Sequence, residues 1–481
     1  MIAAPDIKQS RHVPLAALVL FTTPAAADPA VYDPASADQY EASRLPDSVP
    51  ARPEARRLWA RHLAYEAAIY GVAAVLEYRQ LHAQTIDPTA PGFTGFNRFA
   101  HGRDLAGPDF RPFKTPNADT LYSNAWLDLS GGPVLLEVPD TAGRYYTAAV
   151  LDMHGNASNI SARTAGTAGG RYLIATTDWS GAVPEGATLF RVSTPLTWIL
   201  LRVLVDRPAD LPMARALQDR FALAATASAR PEAVWPDGKD ESAAGFFRIL
   251  DFILRTCGIA KGEEAMVHGW EGIGLGGTST LDDALADPEI RAGIEQGHVE
   301  AQQVIAASMG KNGQRSGSWT QPVDLGRYGY NYLYRAAINT LGTGANVIDE
   351  NHPFTSFHDA AGAPLDGSGS AAYELRLAPP PPARFFWSVT VYDQRSRALY
   401  PNPLGKYVVG DRTPGLVRGA DGSVAIRLQH ATVNGKAAAN WLPVPNGPFY
   451  VVIRAQGPGP EIATGAWSPP PIRRLLKEAI R

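Results

Sequence analysis

The 481 residues include one cysteine and five methionines, and only 19% of them are charged. A lone Cys257 excludes an intrachain disulfide and any site built from several cysteines. By its composition it reads as a small buried hydrophobe on a helix. The formal net charge is −3, and no long block carries one sign. That argues against nucleic acid as the main partner, because such proteins carry a basic stripe. Several motifs are missing as well. The chain has no Gly-x-Ser-x-Gly elbow, no His-Glu-x-x-His and no phosphate loop. Gly272-Ile273-Gly274-Leu275-Gly276-Gly277 matches a dinucleotide fingerprint in letters only, since no strand precedes it, and it reads as a loop between helices. No organic cofactor is implied. Asp152 and His154 supply at most two metal ligands, and with no third in view no metal site is assigned.

Apolar runs of membrane-spanning length are absent too. The longest early one, Val13–Phe21, is too short to span a bilayer and is interrupted by Pro14. It follows Lys8, Arg11 and His12 and precedes Ala25-Ala26-Ala27, the pattern of a secretory signal cut after Ala27. The expectation is a periplasmic or secreted protein with no membrane attachment after cleavage. No cysteine near the cut points to a lipid anchor. Residues 28–53 read as a linker rich in Pro, Ala, Ser and Asp.

What is present is α+β and mostly β. Glu54–Gln84 has helical spacing and no proline. From Thr120 to Asp206 short Val, Ile, Leu, Tyr and Thr runs alternate with turns, the spacing of an antiparallel sandwich or barrel. The expected strands include Leu135–Val138, Arg144–Met153, Arg171–Thr177, Ala187–Ser193 and Thr197–Val205. The middle third is helical by period, over Asp210–Ala227, Ser242–Cys257, Lys261–Trp270 and Thr280–Met309, with a break at Pro288. Arg327–Leu341 is a further helix candidate. Strands return at Tyr373–Leu377, Phe385–Tyr392, Tyr407–Gly410, Val424–Gln429 and Phe449–Arg454. A short basic helix is expected over Pro471–Ile480.

Two polar–aromatic blocks stand out. In Thr115–Leu129, Tyr122, Asn124 and Trp126 share one strand face, which suits a ligand better than bulk water. The second block is Arg384–Asp393. Around the first, Asp119 and His101 are the candidates for carrying protons. Asn97, Asn117, Thr120, Tyr122, Asn124 and Trp126 would line a substrate, and Arg144 would grip an anionic group. Each has a plainer reading: Asn117 and Asp119 as turn formers, His101 as a loop histidine, Arg144 and Arg454 as ion-pair members, and Trp387, Tyr392 and Trp441 as core aromatics.

Pro116-Asn117-Ala118-Asp119-Thr120-Leu121-Tyr122-Ser123, with Asn97, His101, Arg103 and Arg144-Tyr145-Tyr146, resembles the domain of unknown function 1254. Phe386-Trp387-Ser388-Val389-Thr390-Val391-Tyr392-Asp393, with Asn440-Trp441-Leu442-Pro443 and Gly447-Pro448-Phe449-Tyr450, resembles the domain of unknown function 1214. The resemblance implies an N-terminal β domain (54–207), a helical insert (208–345) and a C-terminal jelly-roll-like β sandwich (346–475). It implies no reaction. Asn346, Glu350, Asn351 and His352 depart from the plainer connection expected there, a change that would bear on a pocket rim. The function expected is an enzyme acting on a small organic compound by acid–base chemistry. A non-catalytic small-molecule or carbohydrate binder and a structural assembly module are the alternatives, and a homo-oligomer is compatible with each.

Overall fold

A computed structural model describes residues 49–110, 114–226, 234–309 and 313–476. The signal segment and nearly all of the linker expected over 1–53 lie outside the described residues.

The first described element is the helix Pro53–Thr85. Proline at its start costs nothing, because a first-turn N–H has no intrahelical acceptor. Its alanine stripe, including Ala60 and Ala64, is buried. Against that stripe lies the helix Pro288–Ser308, which Pro288 separates from Leu281–Ala286 as its position predicts. The two helices meet backbone to backbone. A Cβ on Gly293 would sit 2.5 Å from the Arg57 carbonyl oxygen, and one on Gly297 2.3 Å from that of Arg61. The helix Ala243–Cys257 starts on a Ser242 cap. At the start of Leu281–Ala286, Thr280 accepts from the Asp283 N–H at 3.1 Å and donates to its carboxylate at 2.6 Å. Asp283 thus grips the Thr280 hydroxyl, where the Glu of a capping box would accept from the cap residue's backbone N–H.

Three helical expectations are corrected. Asp210–Ala227 is helical only over Leu211–Gln218, and Ala222–Ala225 pairs as a strand with Val134–Glu137. Lys261–Trp270 divides into the helix Glu264–His268 and a 3-10 turn over Gly269–Ile273. Arg327–Leu341 begins only at Tyr332, where the Asn331 side chain accepts from the Tyr334 N–H. Gly326 and Gly329, at φ 75° and 54°, hold the preceding segment in turns.

The N-terminal β region has two sheets. One is five-stranded and antiparallel, in the order Ala100–His101, Thr120–Asp128, Leu196–Leu204, Tyr146–Leu151, Ala157–Ser161. The other, four-stranded, runs Ala187–Val192, Gly170–Thr176, Val134–Val138, Ala222–Ala225, with one parallel pair. Leu121, Ala125, Leu127, Ile199 and Leu201 form the core that the two sheets share. The opposite face of the first sheet is covered by helices. Burial on both faces explains why Leu196–Leu204 is nearly all apolar.

The C-terminal region repeats the theme. Its six-stranded sheet runs Gln314–Ser316, Trp319–Gln321, Asn351–Ser356, Phe449–Pro458, Ala383–Asp393, Val408–Gly410. A four-stranded sheet, Trp441–Pro443, Val424–Gln429, Ala372–Leu377, Arg473–Arg474, closes over a core that includes Trp387, Val389 and Ile426. Both regions are open stacked sheets, not closed barrels. Arg473–Arg474 pair as a strand with Tyr373 and Glu374, so the expected basic helix does not begin there, and 477–480 lie outside the described residues.

The unusual connection at 342–357 ties the two β regions together. Buried Glu350 accepts from Tyr145 Oη at 3.0 Å, Ser161 Oγ at 2.9 Å and Arg163 Nε at 2.8 Å. Asn346 accepts from Asn159 Nδ2 at 2.6 Å.

Candidate functional site

The first block does not carry its polar face into a hollow. Tyr122, Asn124 and Trp126 look toward the helices, and Tyr122 and Trp126 join the core that contains Tyr70, Trp198 and Trp270. Trp126 stacks on Trp198 with centroids 5.1 Å apart. Asn124 Oδ1 accepts from Trp198 Nε1 at 3.2 Å. Tyr122 Oη accepts from the Asn117 N–H at 2.8 Å, and the Arg202 guanidinium lies 5.3 Å over its ring. These side chains are packing and turn fixtures. Thr120 is buried beside Leu204 of the next strand.

Three more candidates are held elsewhere. Asn97 takes a left-handed φ of 60° and accepts from the Asp128 N–H at 3.1 Å, so it shapes a bend. Arg144 makes a two-pronged ion pair with Asp210 and donates to the Leu204 carbonyl at 2.8 Å. Its guanidinium is committed within the protein. His101 lies against Phe99 and 2.8 Å from Ser123 Oγ, and burial lowers its pKa with help from Arg103. It does not meet Asp119. Asp152 likewise spends its carboxylate on a turn, accepting from the His154 and Asn156 N–H groups at 2.9 Å each.

Asp119 is different. It lines a cavity of about 470 Å³ whose wall comes from both β regions. The N-terminal region supplies Ala118, Asp119, Val205 and Asp206, and the C-terminal region supplies Phe386, Trp387, Ser388, Lys406, Tyr407 and Asp411. The volume falls in the range of small-molecule sites, about 300–1,000 Å³.

The second block builds the floor. In Ala383–Asp393, Phe386, Ser388, Thr390 and Tyr392 alternate with core residues, and Ser388 and Tyr392 pair with Arg454 and Tyr450 on the neighbouring strand. Cross-strand partners share a face, so this polar–aromatic face looks at the N-terminal region. It grips the loop that carries Asp119. Tyr392 Oη donates to the Pro116 carbonyl at 2.5 Å, buried Arg454 donates to the Thr115 carbonyl at 2.8 Å, and Thr115 and Tyr450 hydroxyls are 2.8 Å apart. Trp441 is core-facing, its Nε1 donating to the Gln429 carbonyl at 2.9 Å.

Burial raises the Asp119 pKa, while the Ser388 hydroxyl, the Arg454 guanidinium and its own backbone N–H oppose the shift. Neither Asp119 Oδ1 nor Ser388 Oγ completes a hydrogen bond of normal geometry within the protein, although both atoms are buried. A second carboxyl, Asp411, is also raised by burial, against Arg412 and Arg418. The Trp387 N–H approaches its Oδ1 at 3.4 Å. Burial lowers Lys406 to about 8. Two carboxyls whose protons are held toward neutrality, beside an apolar wall, can give and take protons. Ser388, Lys406 and Asp411 were not singled out from sequence. The period of two in Phe386-Trp387-Ser388-Val389-Thr390 carried the sign of Ser388's face. Lys406 and Asp411 sit in loops with no such pattern. Among the described residues, no three His, Cys, Asp or Glu side chains gather to hold a metal ion.

Residues 96–225 match the family described as Protein of unknown function (DUF1254), and residues 350–460 match the one described as Protein of unknown function (DUF1214). A comparison with curated proteins finds no match. Among solved structures, the VPA0106 protein from Vibrio parahaemolyticus is similar, at 25% identity over 87% of this chain and 100% of that one, with a TM-score of 0.69. An uncharacterised protein from Burkholderia cenocepacia aligns over 87% of this chain and 95% of that one at 12% identity, with a TM-score of 0.43.

Proposed function

We propose that this chain, which joins the DUF1254 and DUF1214 families in one polypeptide, is an enzyme acting on a small organic compound by acid–base chemistry, with Asp119 as the proton carrier. One observation supports the reading most: a buried carboxylate oxygen of Asp119 that completes no hydrogen bond of normal geometry, at the wall of a ligand-sized cavity between the two β regions. Asp152, by contrast, accepts from two turn N–H groups at 2.9 Å each. Ser388 and Asp411 stand on the same wall to orient or share the proton.

The test is a thermal-shift screen of small metabolites on the purified protein, followed by turnover assays of each hit. Asp119→Asn should still show a ligand-induced shift at saturating ligand and lose about 10²–10⁴-fold in turnover. Unchanged turnover in that variant removes Asp119 from the chemistry. Binding by the wild-type protein with no turnover of any hit would favour the binding-protein reading instead.

A further inference from the structure

The polar groups of the cavity differ in whether the protein already satisfies them, and the difference selects a ligand chemistry. Every cation on the wall is taken. Arg412 and Arg207 both bond Asp206. Lys406 Nζ donates at 2.8 Å to each of the Ala438 and Ala439 carbonyls, which lie outside the lining. The acceptors are met only in part. Asp119 Oδ1 and Ser388 Oγ have no completed hydrogen bond, and Ser388 is only 3% exposed. Asp411 accepts the long contact from the Trp387 N–H, with Arg412 and Arg418 acting on its charge as Arg454 acts on that of Asp119. Near these acceptors the lining includes two aromatic residues, Phe386 and Tyr407, while Trp387 contributes its backbone N–H.

A buried acceptor without a donor is costly, about 1–3 kcal/mol and more for a charged group. The ligand that removes the cost must bring N–H or O–H donors, and a positive charge gains most beside two carboxylates and aromatic walls. A carboxylate or phosphate ligand would instead have to break Arg412 from Asp206 or Lys406 from its carbonyls.

The geometry points to an amine-bearing compound with an apolar or aromatic body as the ligand, its ammonium on Asp119 and Ser388 and its body against Phe386 and Tyr407. This inference rests on the cavity being the site proposed above, and it names the substrate class. Bound ammonium favours ionised Asp119, so binding releases a proton wherever the free carboxyl is still protonated. Affinity then rises with pH through the Asp119 titration, a dependence that a merely space-filling role for Asp119 would not produce.

Calorimetry with three probes of similar shape tests this: 2-phenylethylamine, 2-phenylethanol and 3-phenylpropanoate. The amine should bind the wild-type protein at least about tenfold tighter than either of the others. Asp119→Asn should weaken the amine by a similar factor while leaving the alcohol unchanged, and Ser388→Ala should weaken it less. Equal or tighter binding of 3-phenylpropanoate overturns the inference, as does absence of amine binding up to about 10 mM. The wild-type series decides even if the Asp119 variant does not fold. Tight amine binding with no turnover of any amine defeats the enzyme reading and leaves this one standing. Turnover that depends on Asp119, with substrates lacking nitrogen and no amine binding, does the reverse.

Discussion

Glu77 stands on the buried side of the first helix with both carboxylate oxygens unpartnered. Burial raises its pKa well above the ordinary value, Asp152 adds to the shift, and Arg335 opposes it. The protonated form is the one the fold favours. Stability from this group is therefore complete below the unfolded carboxyl pKa and is lost as pH rises through the folded one, at about 1.4 kcal/mol per unit in between. Glu77→Gln should flatten that fall and make the protein more stable at neutral pH, checked by urea unfolding at several pH values. A variant less stable at every pH would show that the carboxylate is paired in the fold. Single residues such as these were hard to read from sequence. Asp119 was legible because turn-forming letters preceded an aromatic strand. Glu77 was not, because one glutamate in an alanine-rich helix looks solvent-facing until the partner helix is known.

At the scale of elements, period and punctuation carried most of the reading. The helix expected over Glu54–Gln84 forms over Pro53–Thr85, and Thr197–Val205 is the strand Leu196–Leu204. Two missed elements share a cause. Ala157–Ser161 and Ala222–Ala225 are edge strands of small residues, fixed by their neighbours and not by their own preference. The faces were the deeper difficulty. A period of two tells which side chains lie together but not what covers them, so Tyr122 and Trp126 read like a ligand shelf and proved to be core. Glycine at a helix crossing was equally silent. Gly297→Ala improves helix propensity by about 1 kcal/mol, yet its methyl would press on the Arg61 carbonyl. A net loss of about 1–3 kcal/mol in thermal or urea unfolding is expected. A gain would mean that the two helices separate easily.

For the whole molecule, the proposed function depends on the two β regions staying in register, because each supplies part of the cavity wall. Glu350 fastens them through Tyr145, Ser161 and Arg163. Removing one partner of a buried pair leaves the other uncompensated. Glu350→Ala should cost about 3–5 kcal/mol in unfolding free energy, and should also weaken any cavity ligand. Retained stability would show that the regions are held by apolar packing alone. The resemblance of each half to its family was legible in the sequence, whereas their shared cavity was not, since no motif spans it. The most direct measurement is the titration of the Asp119 carboxyl carbon by NMR, identified by its loss in Asp119→Asn. A midpoint above the ordinary aspartate value, moved by a cavity ligand that leaves His101 unchanged, is the predicted result. A midpoint at or below that value, indifferent to any ligand, would contradict a reactive Asp119.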